Sequence, residues 1–244
     1  MKKKEIEKKY KSYIEKLKKY NLYYFNKSDP LVSDSDYDRL KRDILNLEKQ
    51  YKYLKSNDSP SILIGHRPSK NFKKFPHRVP MLSLGNAFSE EDLLNFEKKI
   101  TNFLSKEVGF EISYCAEPKI DGISASLTYV NGIFEKGLSR GDGREGEDIT
   151  KNLYTIRDIP KKILSKNFPK EIDIRGEVFI QNSDFQKFKD KFANPRNAAS
   201  GSLRQKNPED TKKIPLKFIA YTFGFEKGLK VSNQFEYLEK LSEW

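Results

Sequence analysis

The first sixty residues carry apolar side chains at helical spacing. One stripe, in a segment otherwise rich in lysine and glutamate, comprises Ile6, Tyr10, Ile14, Leu17 and Tyr20. A polar break at residues 26–30 follows. A second stripe, which Ser33 or Ser35 can cap, comprises Tyr37, Leu40, Ile44, Leu47, Tyr51 and Leu54. The pattern predicts a helical hairpin, which we expect to dock on the residues that follow it.

Beyond residue 70 the apolar pattern changes. Ser89-Glu-Glu-Asp resembles a capping box and predicts a helix to about Phe103. Alternation with a period of two predicts strands at 111–116, 123–130, 133–140, 172–180 and 216–225. A short helix is predicted near 183–191, and the Asn131-Gly132 pair favours a type I′ hairpin turn. The mixture predicts an α+β fold with a largely antiparallel sheet.

Length and composition add a few exclusions. A chain of 244 residues can hold one ordinary domain and a smaller one. Its single cysteine, Cys115, excludes an internal disulfide and a cysteine-rich zinc site within the chain. No apolar run is long enough to span a membrane, and the lysine-rich N-terminus lacks the apolar stretch of a secretory signal. We therefore expect a cytoplasmic protein without a membrane partner.

The net charge of +12 is compatible with a polyanionic partner such as nucleic acid. However, the excess is mostly lysine scattered over the whole length. The charge alone does not separate nucleic-acid binding from a drift in composition.

The segment Glu117-Pro-Lys119-Ile-Asp121-Gly122 is the first candidate for chemistry, because it lies between two predicted strands. A lysine amine is a nucleophile only after it loses its proton, which requires desolvation or cationic neighbours. We expect the flanking strands to hold Lys119 rigidly and to remove it from water. A Lys-x-Asp-Gly turn is also a common way to join strands. This motif alone therefore does not distinguish a nucleophilic lysine from a structural turn.

Three more polar motifs follow in order. Residues 139–143, Ser-Arg-Gly-Asp-Gly, carry glycines that allow backbone to approach a phosphate or ribose. Residues 175–177, Arg-Gly-Glu, place a charged pair and a glycine inside a predicted strand, where they are poor for stability. The predicted loop 192–205 contains Arg196 and Arg204, which could hold phosphates. Lys-x-Asp-Gly, a basic Arg-Gly loop and a strand glutamate occur in the order that nucleotidyltransferases use.

Together these motifs resemble the NAD-dependent DNA ligases of bacteria over nearly the whole chain. The matching segments are 77–88, the Lys119 segment, Ser-Arg140-Gly-Asp-Gly, Arg-Gly-Glu177 and Asn-Pro-Arg196-Asn-Ala-Ala. The resemblance implies a helical domain over residues 1–68, which binds the nicotinamide mononucleotide (NMN) half of NAD. It also implies a nucleotidyltransferase (adenylation) domain over 69–244, truncated at its C-terminal end.

The resemblance also implies a role for each matching residue. Lys119 would attack NAD, form a covalent enzyme–AMP and release NMN, so that the full-length enzyme can seal nicks in duplex DNA. Glu117 would hydrogen-bond the adenine, and Asp121 and Gly122 would support Lys119. The remaining nucleotide contacts would be made by Ser83, Leu84, Arg140 and Glu177. Arg196 and Arg204 would contact nicked DNA or a phosphate.

In the helical hairpin, the resemblance implies NAD contacts from Asp34, Ser35, Asp36, Tyr37 and Asp38. Oxidised nicotinamide is cationic, so carboxylates beside an aromatic face suit it. Asp34 and Asp38 are four residues apart and therefore lie on one side of the helix start. The local alternative is that Asp34 caps the helix and Tyr37 packs in a core.

The sequence departs from the family pattern at two places. An ungapped count from Asp34 places Tyr24 and Phe25 where the family has the aromatic pair that supports nicotinamide, whereas one inserted residue gives Tyr23 and Tyr24. Gly85 stands where the family usually has aspartate.

The resemblance implies NAD and Mg²⁺ as cofactors, with zinc only in a C-terminal part of the full-length enzyme. The expected partner is nicked double-stranded DNA, and the expected state is a monomer. We expect no nick sealing from this chain alone. Two alternatives stay open, an ATP-dependent ligase or capping-type nucleotidyltransferase, and an inactive truncated relic.

Overall fold

The structure is a computed structural model and describes residues 3–23, 31–56, 59, 72–107 and 110–244. The chain begins with a helical hairpin of α1 (Lys3–Asn21) and α2 (Asp34–Gln50), followed by a 3₁₀ turn at Lys52–Leu54. Ser33 caps α2, because its side chain accepts a hydrogen bond from Asp36 N at 3.2 Å. The core between the helices contains Ile6, Tyr10, Ile14, Leu17, Ile44 and Leu54. The predicted hairpin is confirmed.

Twelve further elements follow among the described residues. They are β1 (Lys74–Pro76), α3 (Glu90–Phe103), β2 (Ile123–Val130), β3 (Ile133–Ser139), β4 (Glu145–Glu147), α4 (Thr150–Leu153), β5 (Glu171–Ile180), α5 (Asn182–Phe185), α6 (Pro195–Leu203), α7 (Pro208–Lys212), β6 (Leu216–Lys227) and α8 (Gln234–Glu243). Within the described ranges, no helix is both long and apolar enough to cross a membrane.

Four of these strands form an antiparallel sheet in the order β3-β2-β5-β6, and β1 pairs with β4 separately. Asn131 and Gly132, which join β2 to β3, both have positive φ angles of 49° and 77°, as a type I′ turn requires. One sheet face carries the core, which includes Leu127, Tyr129, Ile172, Ile174, Val178, Ala199, Leu203 and Tyr237. The predicted mixed fold with an antiparallel sheet is confirmed.

The chain divides into two compact units. The larger contains Met1–Met81 and Ile120–Trp244, and the smaller contains Leu82–Lys119. In the smaller unit Ser89 caps α3, since its side chain accepts a hydrogen bond from Asp92 N at 3.2 Å. The predicted helix to Phe103 is confirmed. None of its residues is buried within the described part of the chain.

Three local predictions are wrong. Residues 111–116 form no strand, because a strand needs a hydrogen-bonded neighbour and none of the described strands pairs with them. The helix expected near 183–191 is only the single turn of α5. The predicted loop 192–205 contains α6, which Asn194 caps by accepting a hydrogen bond from Asn197 N at 2.8 Å and which has proline in its first turn.

Candidate active site

The face of the sheet opposite the core is polar. Its side chains come from β2 and β5, which lie side by side, and the pairs directly opposite each other are Ser124 and Glu177, Ser126 and Arg175, and Thr128 and Asp173. Because side chains alternate along a strand, these six residues share one face, which we call the polar face. Burying charges in a sheet costs stability unless they are paired, so this face is a candidate site.

At one end of the polar face, Ser124 Oγ donates a hydrogen bond to Glu177 Oε2 at 2.8 Å. Tyr221 on β6 joins this pair. Burial raises the pKa of Tyr221, a hydrogen bond with Ser124 opposes that rise, and Glu177 and Arg140 also act on its hydroxyl. The four side chains therefore form one group. Tyr221 was missed in the sequence, because it reaches this group through the register irregularity opposite Arg175 and Gly176, which local sequence does not specify.

Arg140 enters this group from the end of β3. Its backbone N–H donates to Ser124 O at 3.3 Å, and Gly143 N donates to Arg140 O at 3.0 Å, which closes a tight turn. Gly141 and Gly143 have positive φ angles of 58° and 90°. A Cβ on Gly141 would lie 1.9 Å from Glu145 O, so the turn requires glycine there. The glycine at 141 thus serves the packing of the turn itself, and the predicted approach of backbone to a phosphate or ribose stays a prediction.

Asp142 stabilises the same turn from within. Its Oδ1 accepts hydrogen bonds from Arg144 N and Glu145 N, each at 2.9 Å. Burial would raise the pKa of Asp142, but these N–H donors outweigh burial and the pKa is lowered. Asp142 is thus a structural acceptor within the turn that carries Arg140.

Residues 77–81 bind both the Arg140 turn and the polar face. His77 Nε2 donates to Arg140 O at 3.1 Å, and Met81 N donates to Gly143 O at 2.8 Å. Arg78 Nε donates to Asp173 Oδ2 at 3.0 Å, and its guanidinium also pairs with Glu171. This segment therefore fixes the turn relative to the sheet.

Arg175 completes the connection from the sheet side. Its NH1 donates to Pro80 O at 3.2 Å and its NH2 donates to Val79 O. Its Nε is buried and has no hydrogen-bond partner among the described residues. Burial lowers the pKa of the guanidinium, and Asp173 opposes that shift. Arg175 thus holds two backbone carbonyls of the 77–81 segment, a role that the sequence did not indicate.

In the helical hairpin, Tyr37 is half-buried and its hydroxyl donates to Asn21 Oδ1 at 2.8 Å. Burial raises the pKa of Tyr37 to about 12, Asp38 adds to the rise, and Arg140 opposes it. The hydroxyl of Tyr37 is therefore within electrostatic reach of the Arg140 turn. Tyr37, predicted to contact nicotinamide, thus interacts electrostatically with Arg140, predicted to contact the nucleotide.

The other hairpin residues predicted to bind NAD differ in their exposure and their local hydrogen bonds. Asp36 is occupied locally, because its carboxylate accepts hydrogen bonds from Ser33 Oγ and Arg39 NH2, both at 2.7 Å. Ser35 is exposed, and its hydroxyl lies 2.9 Å from that of Ser33. Asp34 is the first residue of α2. The side chain of Asp34 and the residues Tyr24 and Phe25 lie outside the described part of the chain, whereas Tyr23 is half-buried.

Two predicted residues that are far apart in sequence meet before β2. Arg196 NH1 and Asp121 Oδ1 lie 3.0 Å apart, with 26% and 62% of their side chains exposed. Such an exposed pair contributes little to stability. Gly122 packs tightly, since a Cβ there would lie 2.3 Å from Val178 O and 3.0 Å from Glu177 Cγ. The Asp-Gly step of the Lys119 motif therefore lies against the strand that carries Glu177.

Arg204 has a different kind of partner. Its Nε lies 3.1 Å from Oε2 of Glu147, a carboxylate that is fully buried, while 37% of the Arg204 side chain is exposed. Arg204 thus neutralises a buried charge. Its predicted contact with DNA stays a prediction.

The smaller unit contains Ser83, Leu84, Glu117 and Lys119, all of which are exposed. The expectation that Lys119 is removed from water is wrong for this structure. The reason is that residues 111–116, expected to flank it as a strand, form none. Across the described ranges, no group of three or more histidine, cysteine, aspartate or glutamate side chains could hold a metal ion.

Comparison with known protein families shows the family to which this chain belongs. Residues 69–244 match the NAD-dependent DNA ligase adenylation domain, and residues 3–65 match the DNA ligase-like N-terminal NAD+-binding domain. The chain belongs to the NAD-dependent DNA ligase family. The predicted resemblance is confirmed, and so is the order of a helical region followed by an adenylation domain.

Individual ligases of the family are similar over almost the whole chain. The DNA ligase of Pelagibacter ubique (strain HTCC1062) is 64% identical over 241 residues, which are 99% of this chain and 36% of that protein. The DNA ligase of Rickettsia bellii (strain OSU 85-389) is 46% identical, over 94% of this chain and 34% of that protein. That of Parvibaculum lavamentivorans is 42% identical, over 93% and 33%. The chain spans about a third of the length of these relatives.

Within the larger unit of this ligase-family chain, the structure brings several predicted residues together. Arg140 and Glu177 lie in one group with Ser124 and Tyr221, and Tyr37 lies within electrostatic reach of it. Asp121 and Arg196 form a second group. Ser83, Leu84, Glu117 and Lys119 belong to the smaller unit. The serine–threonine alternation on β2 was the sequence signal that could have identified Ser124.

Proposed function

We propose that this chain carries out the first step of NAD-dependent DNA ligation. The Nζ atom of Lys119 attacks the adenylyl phosphorus of NAD. A phosphorus–nitrogen bond forms, the phosphorus–oxygen bond to NMN breaks, and AMP stays on Lys119 as a phosphoramidate. The observation that carries this proposal is the match of residues 69–244 to the adenylation domain of NAD-dependent ligases, with Lys119 in its Lys-x-Asp-Gly motif.

The amine must lose its proton before it attacks. Lys119 is exposed in the structure, so the desolvation that favours the neutral amine has to accompany nucleotide binding. Asp121 and Gly122 follow directly, and we expect them to support the Lys119 turn. Glu117 would accept a hydrogen bond from the adenine amino group, and Ser83 and Leu84 would line the adenine pocket.

The group on the polar face suits the ribose and phosphate of the nucleotide. Glu177 and Ser124 are already hydrogen-bonded at 2.8 Å, so a ribose hydroxyl would meet an oriented carboxylate. Arg140 adds a cation on a turn whose positive φ angles glycine allows and which Asp142 stabilises. Tyr221 offers an aromatic face beside these polar groups. These assignments deepen the predicted roles of Arg140 and Glu177 and add Ser124 and Tyr221.

The helical hairpin would bind the NMN half of NAD. A cationic ring is attracted to an aromatic face flanked by carboxylates, which Tyr37 and Asp38 provide. The electrostatic reach between Tyr37 and Arg140 supports a single nucleotide that extends from hairpin to sheet. We expect Asp34, Ser35 and Asp36 to contribute at the start of α2, with Tyr23, Tyr24 or Phe25 as the further aromatic partner.

The full-length protein would use the AMP to seal nicks in duplex DNA in the cytoplasm, with Arg196 and Arg204 near the DNA phosphates. Mg²⁺, which the family implies, would neutralise charge on the nucleotide phosphates. Because the described residues offer no protein-only metal cluster, phosphate oxygens and water would supply most of its ligands. Glu177 would contact the ion through water. We also propose that the protein is a monomer, as expected from the sequence.

The decisive test uses a chimera in which this chain replaces the matching 36% of the Pelagibacter ubique DNA ligase. The chimera is incubated with NAD labelled in its adenylate half and then digested. We expect the label on the peptide that contains Lys119, in an acid-labile and alkali-stable bond. The Lys119→Arg variant should be unlabelled because arginine does not lose its proton, whereas the control Lys106→Arg, another exposed lysine of the smaller unit, should label normally.

The same assay separates the two alternatives. Label transferred from ATP but not from NAD would favour an ATP-dependent nucleotidyltransferase, against which the match of residues 3–65 to the NAD+-binding domain already argues. No label from either nucleotide would favour an inactive relic. Label on another peptide, or normal labelling of Lys119→Arg, would show that the nucleophile is wrongly assigned.

A further inference from the structure

Glu147, the last residue of β4, is a fully buried carboxylate. Its backbone N–H donates to Ser139 Oγ at 3.0 Å, which fixes the backbone at this position. Its Oε2 lies 3.1 Å from Nε of Arg204, 57 residues further along the chain. A buried carboxylate is costly unless a cation and hydrogen bonds compensate it, so Glu147 holds Arg204 in place.

Arg204 connects this buried charge to the surface. It follows α6, whose buried residues Ala198, Ala199 and Leu203 fix the helix against the core. More than a third of its side chain is exposed, although Glu147 is not exposed at all. The guanidinium is planar and carries five N–H donors, and a bond at Nε sets the orientation of the whole plane. Directional recognition of a phosphate needs such a fixed plane.

Arg196 has a carboxylate partner that is far more exposed than Glu147. It pairs with Asp121, whose side chain is 62% exposed, so that solvent screens the pair and little orientation is gained. Of the two arginines predicted to contact DNA, Arg204 thus has an ion pair with a fully buried carboxylate, whereas the Asp121 partner of Arg196 is exposed.

We propose that Glu147 is a positioning residue for DNA binding, which orients the Arg204 guanidinium towards a phosphate of nicked DNA. The inference rests on the proposed function, because only there does Arg204 contact DNA. The buried pair has a specific consequence for Glu147→Gln. This change removes a negative charge, and long-range electrostatics alone would then tighten binding to a polyanion. Weaker binding would have to come from lost orientation.

The test measures binding of the chimera to a nicked duplex without a 3′-hydroxyl over a range of salt concentrations. Arg204→Ala should weaken binding about tenfold, or about 1.4 kcal/mol, and lower the salt slope by about one. Glu147→Gln should weaken binding several-fold, and the double variant should bind no more weakly than Arg204→Ala alone. The matched control Glu145→Gln changes an exposed glutamate of the same strand and should bind as tightly as the parent or more tightly.

Labelling with NAD in the same preparations reports whether the adenylation site is folded. Glu147→Gln should keep this labelling, and Glu147→Asp, which retains the charge on a shorter side chain, should bind DNA with intermediate affinity. The inference would be overturned if Glu147→Gln lost labelling, if it bound DNA normally, or if its effect added to that of Arg204→Ala. Parental affinity and salt slope in Arg204→Ala would instead remove Arg204 from the proposed DNA contacts, whatever Glu147 does.

Discussion

Ser124 Oγ donates a hydrogen bond of 2.8 Å to Glu177 Oε2 across the ladder between β2 and β5. The two residues are direct partners in the sheet, so the bond joins two positions whose backbones are already fixed. One carboxylate oxygen is thereby oriented before any ligand binds. Tyr221 shares the Ser124 hydroxyl and lies within reach of the same carboxylate. Pre-orientation of this kind lowers the entropic cost of binding a nucleotide.

The first prediction follows from this bond. Ser124→Ala should leave Glu177 without its donor and lower the rate of enzyme–AMP formation by the chimera about tenfold, since hydrogen bonds to charged groups contribute about 1.5–3 kcal/mol. The measurement is the time course of labelling from NAD. Ser126→Ala is the matched control, because Ser126 lies on the same polar face, opposite Arg175. Equal rates for Ser124→Ala and Ser126→Ala would count against a nucleotide role for the Ser124 pair.

The second prediction separates the steps of ligation. Tyr37→Ala or Asp34→Ala in the chimera should abolish AMP transfer from NAD, because the contacts proposed for nicotinamide are lost. Sealing of a nick that already carries AMP should survive, since that step needs no nicotinamide. Tyr51→Ala serves as control, because Tyr51 packs at the far end of α2. Loss of both activities in Tyr37→Ala, with a folded protein, would remove the hairpin from the NAD site.

The third prediction concerns His77 and pH. Burial lowers the pKa of His77, and Arg175 lowers it further, while Asp173 and the bonds to Arg140 and Ser139 partly oppose the shift. The ordinary value near 6.5 applies to the unfolded chain, so below about pH 7 the unfolded state takes up a proton more readily. The contribution of neutral His77 to stability is therefore present above the unfolded pKa and is lost as pH falls from it towards the folded pKa.

His77→Gln removes this titration but keeps a donor for Arg140 O. The unfolding temperature of the chain should fall less between about pH 8 and about pH 5.5 in this variant than in the parent. The chain has two histidines, so His66→Gln is the matched control and should retain the larger fall. Parallel pH curves for the parent and His77→Gln would show that His77 does not titrate with folding.

Much of this fold could be predicted from local sequence signals. The stripes of α1 and α2, the Ser33 and Ser89 caps and the Asn131-Gly132 turn each depend on a few neighbouring residues. Residues 111–116 alternate as a strand should, yet strand formation depends on a partner that local sequence does not specify. Exposure of Lys119 was missed for the same reason.

The candidate site was only partly predictable for a related reason. Motifs identified Arg140 and Glu177 as chemical residues, but not the Ser124 hydroxyl or Tyr221, which meet them through strand register. Likewise, Arg204 was visible as a cation in a polar segment. Its buried partner Glu147 is 57 residues away and lies on a strand of only three residues. Pairings between distant segments depend on the tertiary fold.

The last prediction concerns the stability of the strand that carries Arg175 and Glu177. Gly176 lies between them, opposite Ala220 of β6. A Cβ at Gly176 would lie 2.3 Å from Phe218 Cζ and 2.4 Å from Ile219 O, both far inside contact distance. The Ile219 carbonyl belongs to the backbone of β6, so it cannot move away without disturbing the ladder. The glycine is therefore required by the close approach of the two strands.

Gly176→Ala should lower the free energy of unfolding of the chain by about 1–3 kcal/mol, the usual cost of overpacking. Urea unfolding, followed by far-ultraviolet circular dichroism, measures this change. Gly85→Ala is the control, because a Cβ there would meet nothing within 4 Å, so it should be close to neutral. If Gly176→Ala unfolds at the same urea concentration as Gly85→Ala, then β5 and β6 tolerate a wider separation, and the charged pair around Gly176 does not depend on their close packing.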